Sequence, residues 1–184
     1  NDGFNASINT GLTFAKTPKI NSSTNLNYKT GKVNFFATYG NNFGKKFNEG
    51  SILRLDDQSN QLFDIKNDDK SHLFKIGMDY YINDKNTLSV YTNQNKLIGD
   101  GKVDVSILNP DATKNLTQYS KYDGNNLDGT YNLAFKHLTK KEGETLDLEI
   151  NHSIYSGDQL ANFRTTFNNP SIPTSAYSDD ISEK

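Results

Sequence analysis

The chain has no cysteine and no tryptophan, one methionine and four prolines among 184 residues. Without cysteine it can hold no disulfide, no thiolate-bound metal and no cysteine nucleophile. Hydrophobic residues make up only 33%, and mean hydropathy is −0.77. No stretch approaches the roughly 18–20 apolar residues of a transmembrane helix. Helical membrane spans are therefore excluded, whereas strands that cross a membrane are not. An excess of either charge is also missing: 20 Lys+Arg oppose 22 Asp+Glu, leaving −2. A general affinity for nucleic acid shows as a basic surplus and is not expected here. The start, Asn1-Asp2-Gly3, has neither an initiator methionine nor a signal peptide and runs straight into a strand-like pattern. The expectation is that processing removed a leader, or that the chain is a piece of a longer protein.

What the chain has is alternation. Helical periodicity is almost absent, and period-2 alternation marks strands with one apolar and one wet face. Within residues 4–14, Phe4, Ala6, Ile8, Leu12 and Phe14 share one face, and Asn5, Ser7, Asn9, Gly11 and Thr13 the other. Within residues 71–82, Phe74, Ile76, Met78, Tyr80 and Ile82 alternate with Lys75, Gly77 and Asp79. Residues 145–155 are the clearest case: Leu146, Leu148, Ile150 and Ile154 alternate with Asp147, Glu149, Asn151 and Ser153. The same pattern recurs at Leu26 and Tyr28, at Val33, Phe35, Ala37 and Tyr39, at Leu88 and Val90, and at Tyr131, Leu133 and Phe135. These segments predict about seven strands of roughly ten residues each.

The predicted connections are lopsided. Short turns fall at residues 29–32, 83–86 and 140–144, which carry the Gly, Asn and Asp of hairpin turns. Long connections are expected over residues 41–70 and 95–128 and from residue 156 onward, with a short link near residues 16–20. Tight turns at one end and long loops at the other describe an outer-membrane barrel. Strands of about 9–11 residues suit a tilted span. Tyr28, Phe35, Tyr80 and Tyr81 lie near the short-turn ends, where aromatics form an interfacial girdle. The expected fold is therefore all-β, an antiparallel up-and-down meander forming part of a transmembrane β-barrel wall. Alternation alone also fits a soluble sandwich with its polar face outward.

The run from Asn25 through Tyr28-Lys29-Thr30-Gly31-Lys32 to Phe35-Phe36-Ala37-Thr38-Tyr39 resembles a signature of the outer-membrane β-barrel family of Bacteroidetes, a TonB-dependent-receptor-like group. Its Asn-rich strand, short turn and aromatic strand carry the likeness. The start, Asp2-Gly3-Phe4-Asn5-Ala6-Ser7-Ile8, resembles the first barrel strands after the plug of such proteins. The likeness covers nearly the whole chain as a strand–turn–strand pattern. The plug domain, the carboxypeptidase-regulatory-like extension, the TonB box and the closing strand that ends in an aromatic are not found in these residues. The resemblance implies that residues 1–184 are a partial barrel domain in the cell outer membrane, taking part in uptake of a bulky nutrient. It further implies outer-membrane lipid, a plug domain and TonB as partners, with a surface lipoprotein as a possible one, and neither cofactor nor enzymatic activity.

On this reading Phe74, Ile76, Met78, Tyr80, Leu146, Leu148 and Ile150 face lipid. Lys75, Asp79, Asp147 and Glu149 face the lumen, and Tyr28, Phe35 and Tyr81 are interfacial aromatics. Two other readings stand beside it: a soluble secreted β-sandwich for adhesion or binding, and a structural barrel subunit of a surface complex. An eighth strand between residues 172 and 184 would close a small barrel, but Pro170, Pro173 and the polar tail make a poor one.

Other constellations are weaker. His72, His137 and His152 fall on three predicted strands and read as strand-end residues. Residues 123–129 superficially resemble a calcium loop but put Leu127 at a ligand position, and read as a solvated loop. Asp147 and Glu149, two apart on one face, lie at a separation that glycosidases use, yet alternating lumen charge accounts for them. Asn-x-Ser/Thr triplets begin at Asn5, Asn21, Asn115 and Asn151, and chance in an Asn-rich chain accounts for these.

Overall fold

A computed structural model describes residues 2–141 and 143–183. It contains one sheet of eight antiparallel strands, each hydrogen-bonded to its neighbours in chain order. The strands are β1 (Gly3–Thr13), β2 (Lys19–Thr30), β3 (Val33–Leu53), β4 (Asn60–Asn83), β5 (Asn86–Leu108), β6 (Leu116–Leu138), β7 (Thr145–Phe167) and β8 (Ser175–Glu183). A single 3₁₀ turn, Ala112–Lys114, joins β5 to β6. The all-β up-and-down meander is as the alternation predicts.

The near-end turns lie where hairpin chemistry puts them. Gly31 takes φ +53°, a left-handed conformation that residues with a Cβ avoid, and Thr30 pairs Val33 across it. Gly143 does the same at φ +80° in the connection after β6. Glu142, part of the predicted turn there, lies outside the described residues.

Strand number and length differ from expectation. There are eight strands rather than about seven, and β3 to β7 run for 21 to 24 residues each. At a rise of about 3.3 Å per residue these reach roughly 70–80 Å. The predicted long loops do not exist as loops. Residues 41–53 complete β3 and pair with residues 60–72 of β4. Residues 95–108 complete β5, and residues 95–107 pair with residues 116–128 of β6. The calcium-like segment 123–129 lies inside β6. The far-end connections are only residues 14–18, 54–59, 109–115 and 168–174. The region after residue 156 continues β7 and then forms β8. Pro170 and Pro173 sit in the connection ahead of β8 and so do not interrupt its ladder.

The reason these halves escape a search for alternation is a change of phase. Near the short turns, the even-numbered residues of β4 are apolar: Phe74, Ile76, Met78, Tyr80. Further up the same strand the odd-numbered residues are apolar, Phe63 and Ile65, while Asp64, Lys66 and Asp68 take the even positions. Strand β5 inverts in the same way, from Leu88 and Val90 to Val103, Val105 and Ile107. A polar run over residues 66–72 separates the two phases, so the pattern reads as a loop although the backbone ladder continues through it.

Among the described residues the sheet has no second layer. Among the described residues the extensive contacts between elements are those of sequential strands, and no hydrophobic side chain is buried. Large apolar side chains stand open instead, among them Ile150 at 67% and Ile76 at 61%.

Candidate functional site

Register turns the alternation of single strands into two continuous surfaces. On one face Met78 pairs Val90, Val90 pairs Leu133, and Leu133 pairs Ile150; in the next row Tyr80, Leu88, Phe135 and Leu148 line up. Phe74 and Ile76 lie on this face beside Tyr39 and Ala37, and Tyr28 and Phe35 are cross-strand partners on it. Leu146 extends it opposite His137. All seven residues expected to face lipid thus share one surface. An open groove of about 600 Å³ runs along it past Phe35, Ile76, Val90 and Ile150.

The opposite face of the same near half is polar. Asp79, Ser89, Ala134 and Glu149 form one row across β4 to β7. Asp79 accepts hydrogen bonds from Ser89 Oγ at 2.7 Å and Asn34 Nδ2 at 3.2 Å. Glu149 accepts from Asn132 Nδ2, which also reaches Asn151 Oδ1 at 2.7 Å. Asn151 Nδ2 in turn donates to Glu149 at 3.2 Å. Asn132 is 3% exposed, and its Oδ1 has no hydrogen-bond partner among the described residues. Asp147 accepts from Thr145 Oγ1 at 2.9 Å. Lys75 has no carboxylate within ion-pair distance among the described residues. Its ammonium lies 4.6 Å from the Tyr91 ring and 5.7 Å from that of Phe36, an arrangement that the ring quadrupoles favour.

Lys75, Asp79, Asp147 and Glu149 therefore share the polar face, as the alternation predicts. Tyr81 is the departure. It was expected beside Tyr28 and Phe35 as an interfacial aromatic, but its odd position places it on the polar face, with Lys29 Nζ 4.7 Å from its ring. Asn34, Phe36, Ser89, Tyr91 and Asn132 belong to this surface but were not singled out from sequence. Each is an unremarkable polar or aromatic residue in its own strand, and only register brings them together.

The far half has its own order on the face that is apolar below. Asp68, Asp100 and Asp123 are consecutive cross-strand partners, and so are Lys66, Lys102 and Lys121. Like charges directly opposite are unfavourable. Here the acidic and basic rows are two residues apart along the strands, so opposite charges meet. Lys66 reaches Asp64 at 3.0 Å, Lys121 reaches Asp123 at 3.2 Å, and Lys45 reaches Asp68 at 3.6 Å. The Lys66 ammonium titrates above its ordinary value because of the hydrogen bond it donates to Asp64.

The histidines are dispersed. His72 bonds Tyr39 Oη at 2.9 Å through Nδ1, His137 bonds Asn86 Oδ1 at 2.7 Å, and His152 lies opposite Tyr131. Among the described residues no three His, Asp or Glu side chains come together in a way that could hold a metal ion.

No protein-family model matches the chain, and no curated protein does. Similar solved structures include the monoaromatic hydrocarbon channel CymD, 11% identical at a TM-score of 0.28 over 97% of this chain and 69% of that one. CarO of Acinetobacter baumannii is 10% identical at a TM-score of 0.27, over 90% of this chain and 78% of its own. Ail, the attachment invasion locus protein of Yersinia pestis, is 14% identical at a TM-score of 0.24, over 84% of this chain and 93% of its own.

Proposed function

We propose that this chain forms part of the wall of an outer-membrane β-barrel through which solutes pass, and that it is not an enzyme. One observation supports this reading above the others: a single sheet presents a continuous, exposed apolar band on one face and charge on the other, with no second layer over either. The band covers residues 74–82 of β4 and 146–154 of β7, about nine residues each, close to the roughly 9–11 needed for a tilted span. Beyond it β4, β5 and β6 carry rows of Lys and Asp on that face, as a wall emerging from lipid into water requires. A soluble sandwich would bury its apolar face against a second sheet, and the described residues contain none.

The finer reading rests on the hairpin at residues 25–39. By that resemblance the intact protein is a TonB-dependent-receptor-like transporter of a bulky nutrient, with a plug domain inside the barrel, TonB on the periplasmic side and a surface lipoprotein as a further partner. The substrate class stays open in this reading.

The test is reconstitution. The chain is sized in buffer and in detergent micelles, then inserted into liposomes and planar bilayers. Aggregation in buffer, β-structure in micelles and discrete conductance support the reading. A monodisperse β-rich monomer in plain buffer would overturn it.

A further inference from the structure

The near-end turns gather four lysines from distant parts of the chain around one cavity. Lys29 is the next-to-last residue of β2, Lys32 lies in the turn to β3, Lys85 lies in the turn between β4 and β5, and Lys136 is on β6. The cavity is open and holds about 600 Å³, within the range of small-molecule sites. We propose that it binds a small, multiply charged oxyanion, a solute carrying phosphate or several carboxylates.

Two of these cations, Lys32 and Lys29, have fixed partners. Lys32 Nζ donates to the carbonyl of Ile82 at 2.7 Å, and the amide of Tyr81 donates to the carbonyl of Lys32 at 2.8 Å. The Lys29 ammonium rests on the Tyr81 ring. Tyr81, Thr87 and Lys136 form a single cross-strand row, so register sets Lys136 one strand beyond Thr87 on the same face.

The charges are not answered from within. Among the described residues none of the four lysines forms an ion pair, although seven such pairs occur elsewhere. Asp147 is the cross-strand neighbour of Lys136 but makes its hydrogen bond with Thr145. Among the described residues, Asp84 is the one carboxylate lining the cavity. Four like charges held close repel one another, and an oxyanion among them relieves that repulsion while accepting their N–H bonds. Lys29, Tyr81 and Lys136 sit on the polar face, so the site opens toward the proposed lumen and away from the apolar band.

The test is calorimetric titration of the full chain, refolded in micelles, with inorganic pyrophosphate as the probe. The expected result is saturable one-to-one binding that weakens as salt rises. The double variant Lys29→Gln/Lys136→Gln is expected to bind about tenfold more weakly or worse, and Asp84→Asn more tightly. Lys66→Gln/Lys102→Gln, at the far end, is expected to leave binding unchanged, with circular dichroism checking that every variant folds. Absence of saturable binding overturns the proposal, as does equal weakening in the far-end variant. Tighter binding of a hexaglutamate peptide than of pyrophosphate would also overturn it, by making the occupant an acidic partner segment.

Discussion

Tyr122 Oη donates a 2.6 Å hydrogen bond to Asn67 Oδ1 although a whole strand lies between them. Asn67, Gly101 and Tyr122 are successive cross-strand partners on β4, β5 and β6, and the missing side chain of Gly101 is what lets the tyrosine lie across β5. A Cβ on Gly101 would fall onto the Tyr122 ring. The phenol titrates above its ordinary value, through burial first and the nearby Asp69 charge second.

Gly101→Ala is therefore expected to displace the ring and destabilise the chain by about 1–3 kcal/mol, the usual cost of overpacking. Tyr122→Phe keeps the ring and loses one hydrogen bond, about 1 kcal/mol. Urea unfolding in micelles measures both. Since the folded phenol titrates above its unfolded value, its contribution is complete below ordinary tyrosine pH and fades as pH rises through the folded value. Equal stability of wild type and Tyr122→Phe at pH 8 would contradict the role assigned to the bond.

The apolar band carries a second expectation. Ile76→Lys places a charge where lipid is proposed and should cost about 2–4 kcal/mol in liposomes, as for cations at the midplane of barrel walls. Lys66→Leu, eight residues along β4 from Phe74 at the edge of the band, should change stability by no more than about 1 kcal/mol, the scale of an exposed ion pair. Unfolding of both variants in liposomes reads the difference. Comparable costs at the two positions would place the membrane boundary elsewhere.

Asp79, Asp147 and Glu149 put negative charge on the polar face. If that face lines a pore, Asp79→Asn/Glu149→Gln reduces cation preference, and the reversal potential under a salt gradient moves toward zero. An unchanged reversal potential, with conductance retained, would place the permeation path away from these residues.

The far-end turns should respond to acid. Asp57 accepts from Ser59 Oγ at 2.6 Å and Ser59 N–H at 2.9 Å, and Asp111 accepts likewise from Thr113 at 2.7 and 3.1 Å. These bonds hold both carboxyls below the ordinary carboxylate value, the side-chain bond being the larger cause in each. A depressed carboxyl stabilises above its unfolded pKa, and that contribution is lost as pH falls through the folded value. The amide resonances of Ser59 and Thr113 are expected to move only below the ordinary carboxylate range. Asp57→Asn should abolish the change at Ser59 alone.

How much of this could be read from sequence differs between the halves of the strands. Near the short turns, Phe74 to Tyr80 and Leu146 to Ile150 alternate cleanly because one face is apolar and the other polar. That pattern identified both surfaces and most of their residues. It failed for Tyr81, whose place near a turn suggested a girdle while its odd position fixed the opposite face. In the far half, Asp64, Lys66 and Asp68 stand where apolar residues stand below, so residues 41–70 and 95–128 read as loops. A ladder satisfies backbone groups whatever the side chains are, and it leaves no trace in hydropathy.

The sequence by itself determined the class of secondary structure, the near-end turns and the two-faced character of the near strands. Those depend on period-2 spacing and on local turn chemistry, which are properties of neighbours in the chain. The tertiary structure alone decided the length of β3 to β7, the existence of β8, the rows of Lys and Asp, and the meeting of Lys29, Lys32, Lys85 and Lys136. Each of these depends on register, the choice of which residue in one strand stands opposite which in another. Register is set by pairing along the full strands, and no short window of sequence contains it.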